Sequence, residues 1–350
     1  LEAVYFLATA TSHRTRKNLE LIRKGADSAF VATEFERSSE THALSAGIGQ
    51  SERRFRFDGQ QLARSGDLYG HLRAVFFSPE DLILVSGSPA DRRRFLDLGL
   101  CQRNPAMLRI LLDYRRALKQ RNALLKARPA ITRGGASFDA LGATLAGWDP
   151  QLASLGAKVT LERARYALEL LEHAARYYRT IAPGAEDLSG GYRSSSHRAT
   201  WREVSSLPGL PELESRYLKS LEKDREKDLN QKTTGAGPHR DDLLLEVGGA
   251  SAPTYASQGQ RRTIALAAKL AESDLLTEDG DPPVLLVDDV THEMDEGRCK
   301  RFLETIAGKG QAILTFTEVA AHRHLLSEGS LWKVEAGTFT PTGWEQEARG

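Results

Sequence analysis

The stretch VLLVDDVTHEMD, Val284 to Asp295, governs how this chain is read. Its opening run is apolar without alternation and comes after two prolines, the pattern of a strand buried on both faces. It then delivers adjacent carboxylates, Asp288 and Asp289. The plain reading is a strand that ends in a turn, where Asp is common. The chemical reading is that Asp288 holds Mg²⁺ through water while Asp289 orients a water aimed at a γ-phosphate. The stretch alone leaves both readings open.

Its neighbours narrow the choice. Ser257-Gln258-Gly259-Gln260 directly precedes an apolar-periodic segment, Arg261 to Leu276. A hydroxyl, a glycine that lets a ligand approach the backbone and free N–H groups at a helix start make a phosphate cradle. An ordinary Ser N-cap explains the same four residues in isolation. From Gln231 onward DDLLLEV, PPVLLVDD and QAILTFT read as strands, the last two buried, alternating with the 261–276 helix and the helix CKRFLETIA. That order predicts a parallel sheet with helices on both faces, whose chemistry gathers at the carboxyl ends of strands.

Upstream the periodicity differs. AFVATEF, HALSAGI and RRFRFDGQQL predict short antiparallel strands, with Asp58-Gly59 as a hairpin turn. AVFFSPEDLILV extends this β-rich region through a Pro-containing turn at Ser78 to Asp81. A helical middle comes next. One helix starts at Asn104-Pro105 and runs toward Pro129; another carries Leu161, Ala164, Leu168, Leu171, Ala175 and Tyr178 on one face. SGGYRSSSHRAT, Ser189 to Thr200, reads as a flexible or strand-edged connection, and a charged helix spans Glu212 to Asn230. The helices are expected to be separate and short, without a long coiled coil.

Composition bounds the rest. With 350 residues, 48 Lys+Arg against 47 Asp+Glu leaves a net charge of +1, so any nucleic-acid surface must be local. Cys101 and Cys299 stand far apart without metal-ligand spacing, which suits reduced thiols in a cytoplasmic protein. No segment approaches the length of a membrane span. Leu1, Val4, Leu7 and Ala8 share one helical face, so the chain is expected to begin inside a helix with sequence upstream.

Taken together, LEAVYFLATATSHRT (1–15), ELIRKGA (20–26), FSPEDLILVSGSPADRRRFLDL (77–98), GPHRDDLLLEV (237–247), YASQGQRRTIALAAKLAE (255–272) and PVLLVDDVTHEMD (283–295) resemble the bacterial RecF family along nearly the whole chain. The resemblance implies an α/β fold, an ABC-type ATPase head (P-loop NTPase fold) with an inserted helical lobe. The expected parts are 1–98 and 232–350 for the head and 99–231 for the lobe. It implies ATP and Mg²⁺ as cofactors, with Asp288 on the metal and Asp289 in the catalytic position. Ser257, Gln258, Gly259 and Gln260 would be the signature that meets ATP of a second protomer. Asp295 would be the D-loop, Thr317 the switch position, and Glu80 part of the Q-loop region. Implied partners are DNA at single-strand/double-strand junctions, a second copy in an ATP-dependent homodimer, mediator proteins and recombinase, in the cytoplasm and without a membrane.

Other stretches depart from that pattern or signal less. No GxxxxGK[ST] occurs, and Gly308-Lys309-Gly310 lacks the flanking residues. Family members carry that loop directly before the helix with which this chain opens, so truncation is expected: the intact family member would be a slow DNA-dependent ATPase, and the sequence as given is expected to be inactive and to bind ATP poorly or not at all. The rival reading is a non-hydrolysing, loop-less partner of a complete ATPase. Met294 and Glu318 replace Leu and Asp common in relatives. Arg14, Arg16 and Lys17, or Arg92, Arg93 and Arg94, could neutralise DNA phosphates, although either run also suits a solvated face. His239-Arg240-Asp241-Asp242 reads as a turn entering a strand, with a His/Asp catalytic or metal pair as the alternative.

Overall fold

The computed structural model describes residues 1–15, 17–126, 136–278, 280–290, 294–317 and 329–342, with backbone only at 136–141 and 143. Helix α1 (Glu2–Thr9) leads to a four-stranded antiparallel sheet, β1 (Ser28–Arg37), β2 (Glu40–Gly49), β3 (Arg53–Phe57) and β4 (Gln60–Gln61). The turn between β3 and β4 is Asp58-Gly59, both at positive φ, as that hairpin sequence predicts. Strand β5 (Ala74–Phe77) then enters a second sheet.

Beyond β5 the chain is helical, correcting the β-rich reading of LILV. Asp81 accepts from the Ser78 backbone amide at 2.8 Å, one arm of a capping box around Pro79, which starts a 3₁₀ turn, Pro79–Leu82, and the short α2 (Ile83–Ser86). A second such box, Ser88 with Asp91, starts α3 (Pro89–Arg103), and α4 (Ala106–Lys126) comes after the Asn104-Pro105 signal.

The lobe departs further from expectation. Its next helix, α5 (Ala136–Ile181), is 46 residues long and runs through Pro150, where separate short helices were expected. Buried Leu145, Leu152 and Ala153 hold both sides of that proline in place, so packing overrides the local breaker. The 189–200 segment is an antiparallel hairpin, β6 (Leu188–Ser194) and β7 (Ala199–Trp201). The charged helix divides at Asp224 into α6 (Leu210–Lys223) and α7 (Arg225–Gln231).

Strand β8 (Asp242–Val247) pairs antiparallel with β6 and with β9 (Ala250–Ser251), not in the parallel sheet. Its mostly buried side chains suit either kind of sheet, so periodicity left its partner undetermined. After α8 (Ala252–Tyr255), α9 (Gln258–Leu276) is buried nearly all round. One face joins the lobe core through Ile264, Ala267 and Ala268; another joins the sheet core through Leu266 and Leu270.

Strand β10 (Val284–Asp288) is central in a parallel sheet ordered β11-β10-β5, where β11 is Ala312–Thr315 and α10 (Glu296–Ala307) is the crossover. Leu285, Leu286 and Val287 are buried, as the apolar run requires. β11 is half-exposed and, among the described residues, an edge strand rather than the buried one expected. The hairpin β12 (Leu331–Glu335) and β13 (Thr338–Thr342) ends the described chain.

Candidate active site at the end of the central strand

The buried run of β10 stops at Asp288, and Asp289 turns the chain with φ 49, a left-handed conformation that Asp tolerates better than most residues. Strand register places Thr315 opposite Asp288, and its Oγ1 donates to Asp288 Oδ1 at 2.8 Å. Two residues on, Thr317 Oγ1 donates to Asp289 Oδ2 at 3.0 Å. The expected carboxylates and the expected switch residue are thus brought together. Thr315 was missed by sequence reading; its signal was the period-two spacing to Thr317 on a strand parallel to β10.

Both carboxylates stay partly exposed. Asp289 lines a pocket of about 120 Å³ with Ser78, Pro79, Asp81, Leu82 and Arg262, so the capped turn after β5 and the end of β10 form one cleft. Glu80, the residue singled out from that turn, instead points outward and faces His13 at 3.7 Å. Hydrogen bonding to its own backbone amide lowers its pKa. Asp81 is the inward member. Burial raises its pKa against the pull of Lys269, whose ammonium stays charged despite burial because Glu272 and Asp81 face it. These groups tie the turn to the middle of α9.

Oxygen donors are the hard ligands Mg²⁺ prefers, and it characteristically takes one or two carboxylates with water and phosphate oxygens. Asp288 fits that role. Among the described residues no group of three His, Cys, Asp or Glu is positioned to hold a metal alone.

At the start of α9, Ser257 is the N-cap: its Oγ accepts from Gln260 N at 3.2 Å, and Gln260 Oε1 accepts from Ser257 N at 2.8 Å. Ser257 and Gln258 are exposed, so cap and accessible helix end coexist. Asp295 caps α10 by accepting from Arg298 N at 3.0 Å and pairs with Arg298 Nε at 3.3 Å. A Cβ at Gly259 would lie 3.0 Å from Arg298 Nη1. Arg298, not singled out from the sequence, therefore places the glycine of the 257–260 segment beside Asp295 on one surface.

The basic residues divide. Arg14 donates to Asp288 Oδ2 at 3.4 Å, which places this exposed side chain beside the carboxylate site. Arg92 is buried and donates to both oxygens of Asp242, at 2.7 and 3.0 Å, which removes it from any surface role. Arg93 is half-buried on the Asp241 carbonyl at 2.7 Å; Arg94 is exposed, and Lys17 pairs with Glu20 at 3.2 Å. Arg16 and Glu318 lie outside the described residues.

The parallel sheet, its acidic strand end and the helical lobe inserted between its strands define an ABC-type ATPase head. Comparison with known proteins supplies the particular family. The chain is 38% identical over 345 residues to the DNA replication and repair protein RecF of Synechococcus sp. (strain JA-3-3Ab), covering 98% of this chain and 88% of that protein. It is 37% identical over 341 residues to RecF of Geobacillus thermodenitrificans (strain NG80-2), covering 97% and 88%. A solved structure of the recombination mediator protein RecF-ATP in the RecFOR pathway aligns with TM-score 0.83 and 27% identity over 98% of this chain and 87% of that one. No family model matches. The chain belongs to the RecF family.

Proposed function

We propose that this chain is an ATP-dependent DNA-binding protein of recombinational repair and replication restart, two copies of which close on single-strand/double-strand junctions and help mediator proteins load recombinase. The names of its relatives support the repair role, and the ATP-bearing structure supports the ligand. The observation that carries the chemistry is the open end of β10, where two partly exposed carboxylates are each held by a threonine hydroxyl.

In this reading Asp288 is a ligand to Mg²⁺, which when bound supplies charge neutralisation at the phosphate oxygens. Asp289, oriented by Thr317, accepts a hydrogen bond from the attacking water and takes its proton. Being shorter than Glu, it suits slow turnover. Ser257, Gln258, Gly259 and Gln260 offer the N-terminus of α9 to the γ-phosphate held by the other copy. Arg298 keeps Asp295 beside that segment, so both reach the partner together. Arg14 is the exposed cation beside Asp288, the carboxylate that would hold the metal. The domain division at 98/99 and 231/232 belongs to the same proposal, with β8 and α9 tying the C-terminal part to the lobe.

Asp289→Asn in the full-length protein tests the assignment. ATP-driven dimerisation, followed by light scattering, is expected to persist while hydrolysis falls roughly a hundredfold or more. Equal hydrolysis rates sink the role of Asp289. Dimerisation without hydrolysis in the unsubstituted protein would favour the non-hydrolysing partner.

A further inference from the structure

Three members of the stretch His239-Arg240-Asp241-Asp242 are tied inward. His239 joins Tyr114 and the Thr234 carbonyl at 2.7 and 2.9 Å. Asp241, fully buried, accepts from Ser195 N, Ser195 Oγ and Tyr192 OH at 2.7, 3.0 and 3.0 Å. Asp242 is gripped by Arg92 and by Arg193, the latter at 3.2 Å. Arg240 alone turns outward. It is exposed, and among the described residues its guanidinium has neither ion pair nor hydrogen bond.

Arg240 opens into a groove of about 400 Å³ along the β6–β7 hairpin, lined also by Arg193, Ser194, Ser195, Arg198 and Thr200. Among the described residues no carboxylate lines it. Arg198, at φ 50 in the hairpin turn, pairs with Asp224 at 3.2 Å. Arg193 must share Asp242 with the bidentate Arg92, so its charge is only partly balanced. Three guanidiniums therefore face one open groove with less than their complement of anions. Planar guanidinium forks match phosphate oxygens in pairs, and Ser and Thr hydroxyls add further donors.

We propose that the groove built by Arg193, Arg198 and Arg240 is a phosphodiester-binding site that seats a DNA backbone on the lobe, away from the nucleotide site. The proposal rests on the DNA-binding reading above and adds where that binding occurs. A polyanion fits better than a mononucleotide because the groove is open along the hairpin and its charges are spread over two segments of chain.

The test is fluorescence anisotropy of a labelled DNA duplex with the full-length protein over a salt series. Arg240→Gln and Arg198→Gln are each expected to weaken binding about three- to tenfold at low salt, and the pair to reduce the salt slope by about two. Arg240→Lys should restore most of the slope. Arg109→Gln on α4, whose side chain is 80% exposed, should change nothing. Should Arg198→Gln lower the melting temperature, Arg240→Gln decides alone, since it breaks no internal contact. Wild-type affinity and slope in Arg240→Gln overturn the groove while leaving the DNA reading intact; so does loss of labelled polyglutamate binding with DNA binding unchanged. Failure of the unsubstituted protein to bind DNA overturns the DNA reading itself.

Discussion

Two groups of charged residues in this molecule behave in opposite ways. In the lobe Arg121 is fully buried, with Nε on Asp149 at 2.8 Å, Nη1 on Asp228 at 2.6 Å and the same nitrogen on Thr234 at 2.9 Å. Arg163 is likewise held by Asp97 at 2.9 Å and by the Pro238 carbonyl at 2.7 Å. At the end of β10, Asp288 and Asp289 remain partly open to solvent; among the described residues each has one hydroxyl, and Asp288 has only an exposed arginine as counter-ion. Charges whose partners are all internal set the architecture. Charges held in place but incompletely neutralised leave capacity for something from outside.

Substitutions in the two groups put this contrast at risk. The largest effect is expected from Arg121→Ala, which takes the buried guanidinium away from Asp228 and leaves Asp149 to Arg225, and should cost about 3–5 kcal/mol in denaturant unfolding. A loss below about 1 kcal/mol would remove the basis for calling the lobe charges architectural.

Acid should act next. Burial pulls the His239 pKa down to about 4, while its Nε2 donates to Thr234 O and its Nδ1 accepts from Tyr114 OH. Below the ordinary value near 6.5 the unfolded chain takes up a proton that the folded chain refuses. Stability is therefore complete above about pH 6.5 and falls as pH drops toward 4, by on the order of 2 kcal/mol. His239→Gln should flatten that part of the stability profile; an unchanged slope would locate the acid sensitivity elsewhere.

Ser257 separates cap from ligand. Ser257→Ala should cost about 1 kcal/mol through the lost capping box. Ser257→Asn should keep the cap, yet abolish ATP-driven dimerisation if the hydroxyl reaches the partner's phosphate. Retained dimerisation would make Ser257 a cap only. The smallest stability effect belongs to Asp289→Asn, within about 0.5 kcal/mol, since the side chain is not part of a core. A larger loss would move Asp289 into the architectural group.

Legibility divided along the same line. The β10 run, the Ser257 cap and its helix, the Asn104-Pro105 start and the Asp58-Gly59 hairpin were readable because each signal lies within a few residues of its effect. The β6–β7 hairpin was not, because Ser189 to Thr200 offers small polar residues and its order comes from β8 and the buried Asp241. Arg92 could not be distinguished from Arg94 in a run of three arginines, since Asp242 is supplied from another part of the chain. Thr315 and Arg298 became visible only with strand register and helix packing.

Residue order was enough for the local chemistry: an apolar strand ending in carboxylates, a capped helix before it, and family motifs in a sequence that implies the α/β head. Which charges meet was settled by the completed fold. It sent Arg92 inward and Arg240 outward, placed β8 on the lobe sheet, and brought Thr315, Thr317 and Arg14 onto one strand end. The difference is one of range. Backbone propensity and capping act over a few neighbouring residues, whereas the cost of burying a charge depends on whichever partner the folded chain places within hydrogen-bonding reach.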